Sequence, residues 1–324
     1  MKKIISLILT LLVMLSFAGC TKEVEPKVET EKINVNVASL KGPTGMGMVR
    51  LLEDKPNFGE NIEVNYSIES APDLLKSKLL NKEIDIAALP TNLASIMYNK
   101  TEGSYQLGAV NTLGVLYVVT SRDDIKSIND LNDKEIGVSS KGSVPDFIFN
   151  YILNKNNIEN ININYIVEHG NLAKQLISGD RDLALLPQPF VTMVTMKNKN
   201  LKIAMDIQEE FRNIEGQDRH IPMGCIVIRK EFAQNHPQVV EQFLKEYENS
   251  IKWTSENVVE ASKLIEKFEI LPSAKMAELA IPKSNLVYID SKDSKDMLDK
   301  FYELLMNFNP KSIGGKIPDE SFYY

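Results

Sequence analysis

Three short passages of this chain occur twice, in the same order and roughly a hundred residues apart. Ser39-Leu40-Lys41-Gly42 returns as Ser139-Ser140-Lys141-Gly142, and Ile62-Glu63-Val64-Asn65-Tyr66 as Ile161-Asn162-Ile163-Asn164-Tyr165. Asp85-Ile86-Ala87-Ala88-Leu89-Pro90 returns as Asp182-Leu183-Ala184-Leu185-Leu186-Pro187. Each copy sits where a strand or strand end is expected. Ile33–Ala38 alternates with Asn34 and Asn36, as a strand does, and Met48, Val49, Leu51 and Leu52 are spaced like one helix face. Ile62–Ile68 is a second strand. Ala71–Leu80 is a helix with Leu74, Leu75, Leu79 and Leu80 together, Ile84–Leu89 is a buried strand, and Leu93–Tyr98 is the next helix. The βαβαβα order predicts a parallel, doubly wound sheet. Its repetition, in a chain of 324 residues, predicts two lobes with an α/β core each.

In open sheets of this kind, ligands bind beyond the carboxyl ends of the strands. In the first lobe those ends are Gly42, Pro43, Thr44, Gly45 and Met46, followed by Pro90, Thr91 and Asn92. In the second lobe they are Ser140, Lys141, Gly142, Ser143 and Val144, followed by Pro187 and Gln188. Glycines allow close backbone approach, and Pro43 and Thr44 suit a helix start, whose open N–H groups favour an anionic or carbonyl-bearing group. Thr44, Asn92 and Ser143 either bond a ligand or simply cap their helices. Lys141 either pairs with an acidic ligand or is solvated. Asn111 and Thr112 lie at a predicted crossing between lobes, where they line a cleft or serve as hinge. Gln188 places no negative charge there, which favours neutral or anionic ligands over cations. Asp85 and Asp182 open their strands, so they belong at the far end.

The N-terminus reads as a targeting segment. Lys2 and Lys3 precede the apolar run Ile4–Phe17, too short to span a bilayer comfortably. Phe17-Ala18-Gly19-Cys20 resembles the lipobox of bacterial lipoproteins, which implies cleavage before Cys20 and lipidation of its thiol. The expected organisation is a signal peptide over 1–19 and a lipid-anchored linker over 20–32. Lobe one follows over 33–112, lobe two over 113–220, and a return to lobe one with C-terminal helices over 221–324. Two apolar runs, Gln106–Thr120 and Ile221–Ile228, serve as crossings. With Cys20 lipidated only Cys225 remains, which excludes an intramolecular disulfide and reads as a buried small hydrophobe. The net charge of −7 argues against a nucleic-acid binder.

Further motifs carry a family resemblance. Asn129–Val138 resembles the "DLKGKKIGV" stretch of type II solute-binding proteins of ABC importers, and Gly142-Ser143 the ligand-loop serine after it. Gly179–Ala184 resembles "GxVDAA", and Pro187-Gln188-Pro189 stands at the "EP" position with Gln188 replacing the acid. Arg229–Ala233, Pro237 and Trp253 to Ala261 resemble the family's helix pair, with Val258 where the pattern has proline, and Ile313–Tyr323 resembles the closing segment of some members. The match is similar to the sulfonate, nitrate and thiamine-precursor (NMT1-like) branch. The resemblance implies a two-lobed periplasmic-binding-protein type II fold, each lobe a mostly parallel sheet. It also implies a small anionic or neutral heterocyclic solute, ABC permease and ATPase partners, and a monomer on the outer face of the cell membrane, with no enzymatic activity, cofactor or metal. The alternative is an enzyme on the same scaffold, of the kind that makes pyrimidine or menaquinone precursors. His169, His220 and His236 are widely spaced and lack metal-ligand or triad company.

Overall fold

The computed structural model describes residues 32–139 and 141–324. The expected signal peptide, Cys20 and most of the linker lie outside the described residues, as does Ser140. The chain opens with β1 (Ile33–Leu40), α1 (Pro43–Met46), α2 (Val49–Asp54), β2 (Ile62–Glu69), α3 (Pro72–Leu80), β3 (Ile86–Pro90), α4 (Thr91–Lys100) and β4 (Tyr105–Thr112). After three residues it continues with β5 (Leu116–Thr120), β6 (Lys134–Ser139), α5 (Val144–Lys155), β7 (Ile161–Ile166), α6 (His169–Ser178), β8 (Leu183–Pro187), α7 (Phe190–Lys197), β9 (Lys202–Asp206) and α8 (Ile207–Glu215). The last part comprises β10 (Gly224–Arg229), α9 (Lys230–Asn235), α10 (Pro237–Glu256), α11 (Val258–Lys267), α12 (Ala274–Ala280), β11 (Leu286–Asp290) and α13 (Ser291–Phe308).

These strands form two sheets, ordered β2-β1-β3-β10-β4-β11 and β7-β6-β8-β5-β9. Apart from the extra edge strand β11, one order is a copy of the other. The register repeats too: Val37 pairs with Tyr66 as Val138 pairs with Tyr165. Each lobe keeps the expected parallel core, β2-β1-β3 in one and β7-β6-β8 in the other. Beyond that core the sheets are mixed rather than mostly parallel. β10 runs antiparallel to both β3 and β4, and β5 antiparallel to both β8 and β9. The reason is connectivity. Each reversed strand enters its sheet from the other lobe, so it starts at the facing edge, where the parallel strands finish.

Local patterning accounts for most elements. In β1, Val35 and Val37 are buried while Asn34 is exposed. In α10, Val240, Phe243, Leu244, Tyr247 and Ile251 recur at helical spacing and are all buried, each such side chain contributing about 1.5–3 kcal/mol. α8 occupies the start of a stretch, Gln208–His220, that reads as merely polar. Its apolar face is Ile207, Phe211 and half-buried Ile214, hidden among Glu209, Glu210 and Arg212. Cys225 is buried as expected. The most extended apolar cluster joins the lobes, running from Leu89, Leu107 and Val110 to Leu116, Val118, Ile136 and Val138.

Candidate ligand site between the two sheets

Where the strands stop decides where a ligand can sit. Gly224, the first residue of β10, pairs with Pro90 and with Thr112, so the ends of β3 and β4 share one rim. Leu116, the first residue of β5, pairs with Pro187 at the end of β8, which defines the opposite rim. Only Leu113, Gly114 and Val115 separate Thr112 from Leu116, so the rims face each other across a short crossing. They are close. A Cβ on Gly42 would lie 3.8 Å from Pro189 Cδ, and one on Gly142 would lie 4.0 Å from Asn309 Nδ2. The Phe147 and Phe308 rings are 4.6 Å apart, and Tyr117 O–H donates to the Lys283 carbonyl at 2.9 Å. Both turn glycines, Gly42 at φ 97° and Gly142 at φ 79°, occupy the left-handed region that favours glycine.

On the first rim, most polar atoms are engaged within the protein. Thr44 Oγ donates to the Leu40 carbonyl at 3.4 Å and Thr91 Oγ to the Pro222 carbonyl at 2.7 Å. Asn111 Nδ2 donates to Tyr247 Oη at 2.9 Å, while its Oδ1 accepts from Thr112 Oγ at 3.0 Å. Asn111, Thr112 and Thr91 are buried, and these bonds tie the crossing together. Gly45 and Met46 are core: a Cβ on Gly45 would lie 2.5 Å from the Leu40 carbonyl oxygen, and Met46 is fully covered. Asn92 Nδ2 reaches the Ser312 carbonyl at 3.4 Å. Pro43 and Pro90 are half-buried at the rim.

The second rim is different. Ser143 sits at the N-cap of α5 but makes no capping bond, and its Oγ is buried without a partner among the described residues. Gln188 is 2% exposed. Its Oε1 accepts from Thr192 Oγ at 2.8 Å, which leaves Nε2 as a buried donor with no partner among the described residues. Leaving such a group unpaired costs about 1–3 kcal/mol, so it calls for an explanation. The loop before Ser143 is held from behind. Asp146, itself buried, accepts from the Gly142 N–H at 2.7 Å, from Asn150 Nδ2 at 2.6 Å and from Tyr165 O–H at 2.8 Å. Val144 is in the core, Pro187 is half-buried, and exposed Lys141 lies 5.1 Å over the Tyr165 ring.

Two residues at this rim were not among the expected site residues. Asp146 is one. The other is His169, the first residue of α6, whose Nδ1 hydrogen-bonds Ser139 Oγ at the end of β6. Its ring lies 5.4 Å from that of Phe190, and burial pushes its pKa down to about 4, so it is neutral near pH 7. The signal available for His169 was its place just after the repeated Ile161–Tyr165 strand. As a catalytic pair Ser139 and His169 are poorly equipped: Ser139 is 1% exposed, and no carboxylate orients the ring among the described residues. Taken together, the rim offers neutral donors, without a buried lysine or arginine among the residues that present them. Such a set accepts oxygen or nitrogen acceptors, neutral or anionic.

Cavities of about 520 Å³ between α8 and α13 and about 630 Å³ beside α5 open elsewhere. Neither is bounded by a strand-end turn.

A family model described as NMT1/THI5 like matches residues 61–261. Among solved structures, an ABC transporter protein from Parabacteroides distasonis is similar with a TM-score of 0.79 at 23% identity, over 91% of this chain and 99% of that one. The periplasmic aliphatic sulphonate binding protein SsuA from Escherichia coli gives a TM-score of 0.67 at 14% identity, over 88% and 96%. The periplasmic nitrate-binding protein NrtA from Synechocystis PCC 6803 gives 0.60 at 10% identity, over 86% and 82%. None of the curated proteins searched matches the sequence significantly. At these identities the structural likenesses speak for the fold. That fold is the two-lobed one of periplasmic binding proteins, and the family model covers more than half of the sequence. The chain belongs to the NMT1/THI5-like family.

Proposed function

We propose that the protein is the solute-binding component of an ABC importer, capturing a small anionic or neutral heterocyclic solute between its lobes and delivering it to a permease. The observation that carries this reading is the pair of unpartnered buried groups, Ser143 Oγ and Gln188 Nε2, at two strand-end turns of one lobe that face the other. A solute touching both rims binds the closed arrangement better than the open one. Its differential affinity then shifts the lobes toward closure, which a permease with its ATPase reads. Shutting the rims also removes water, which strengthens each contact. Lipidation at Cys20 would hold a monomeric carrier on the outer face of the membrane.

The test uses the mature domain with ethanesulfonate, nitrate and uracil as probes, following melting temperature and probe integrity together. A probe at a hundred times its Kd adds about 2.7 kcal/mol to stability. The expected outcome is a raised Tm for at least one probe with the probe unchanged. Gln188→Glu, which keeps the acceptor toward Thr192 but removes the free N–H donor, should abolish that rise. Turnover of a probe at catalytic protein levels would establish an enzyme instead.

A further inference from the structure

We propose that Ser312, in the C-terminal turn after α13, is a third solute donor, supplied by the first lobe opposite Ser143 and Gln188. This rests on the carrier reading and extends the same site. Three observations converge. First, Ser312 Oγ is buried and has no hydrogen-bond partner among the described residues, as with Ser143 Oγ and Gln188 Nε2.

Second, the turn that carries it is fastened to the strand-end helix α4. Asn92 Nδ2 donates to the Ser312 carbonyl at 3.4 Å, Ser95 Oγ to the Ile313 carbonyl at 2.8 Å, and Asn99 Nδ2 to the carbonyls of Ile313 at 2.8 Å and Lys316 at 2.7 Å. Asn309 Oδ1 accepts the Lys311 N–H at 3.2 Å and closes the turn. Ser312 therefore has its position set at the end of β3, while its hydroxyl is left unused.

Third, the same turn is where the second lobe arrives. Gly142, one residue before Ser143, approaches Asn309, and Phe147 packs on Phe308. Closure thus brings the ligand loop of one lobe onto the turn that carries Ser312 in the other. A donor on each side of the gap is what makes affinity depend on closure. Without Ser312 the free donors at the facing turns belong to the second lobe, and a solute could bond them equally well with the lobes apart.

The experiment compares wild type with Ser312→Ala and Ser312→Thr, using whichever of ethanesulfonate, nitrate and uracil raises the wild-type Tm. Each variant is first melted without probe. Ser312→Ala should keep the probe-free Tm and weaken probe binding by about three- to tenfold, and Ser312→Thr, which keeps a hydroxyl, should restore it. Equal probe affinity in wild type and Ser312→Ala overturns the role of Ser312 while leaving the carrier reading intact. Binding of none of the three probes to wild type overturns both. A drop in probe-free Tm for Ser312→Ala that Ser312→Thr corrects, with affinity at saturating fold unchanged, assigns the hydroxyl to the turn itself and also overturns the proposal.

Discussion

Tyr66 and Tyr165 occupy the same register position in the two sheets, opposite Val37 and Val138, yet they do different things. Tyr165 O–H donates to Asp146, which in turn holds the Gly142 N–H and so fixes the turn before α5. Tyr66 packs against an apolar cluster, and its buried hydroxyl has no partner among the described residues. Burial pushes both phenols up. At the rims the contrast is reversed. Thr44, Thr91, Asn111 and Thr112 are tied inward on the first lobe, whereas Ser143 and Gln188 are left open on the second. The two sheets share their strand order and their turn glycines, but the polar groups at those turns are engaged differently in each.

The sharpest break in the symmetry should appear at the far ends of the sheets. Asp85 accepts from Arg229 Nη2 at 2.6 Å and from the Asn36 N–H at 2.8 Å, and its side chain is 6% exposed. Its repeat, Asp182, is 52% exposed and 3.5 Å from Arg122. Asp85→Ala leaves a largely buried guanidinium short of its partner and should destabilise by about 3–5 kcal/mol in denaturant melts. Asp182→Ala should change stability by less than about 1 kcal/mol. Equal effects would show that the two lobes share their load differently from the geometry described.

The next effect is a pH dependence that belongs to the second lobe. His169 is neutral when folded, with its pKa lowered to about 4 by burial, whereas unfolded histidine titrates near 6.5. The unfolded chain therefore binds more protons between those values. The stabilisation is fully present above about pH 6.5 and is lost as pH falls toward 4, by at most about 3 kcal/mol. His169→Gln should flatten that part of a stability-versus-pH curve. A curve unchanged by the substitution would mean that His169 is solvated in the folded protein.

The smallest effect refines the tyrosine comparison itself. Tyr165→Phe removes a hydrogen bond to a carboxylate and should destabilise by about 1.5–2 kcal/mol, with Gly142 losing amide-exchange protection. Tyr66→Phe removes an unpaired buried hydroxyl and should leave stability unchanged or raise it by up to about 1 kcal/mol. Similar losses at both positions would point to a partner for Tyr66 that the first lobe conceals.

Much of this architecture is legible in the residues alone. The repeated passages announced two lobes, the Ile33–Ala38 and Ile62–Ile68 alternations gave their strands, and the glycine turns marked the strand ends. These are local facts, set by side-chain periodicity and by the backbone freedom of residues such as Gly42. Tertiary structure alone decided that β5 and β10 run against their neighbours, since each is delivered from the other lobe. It also decided which polar groups stay open. Asn111 looks like Gln188 in sequence, a polar residue at a strand end. Tyr247 accepts from the amide nitrogen of one from 136 residues away, and nothing accepts from that of the other among the described residues. Ser312 could not be read as a site residue either, because its neighbour Asn92 is 220 residues distant. Hydrogen-bond satisfaction depends on partners brought together only by folding, whereas the strand and helix pattern depends on near neighbours that the chain supplies directly.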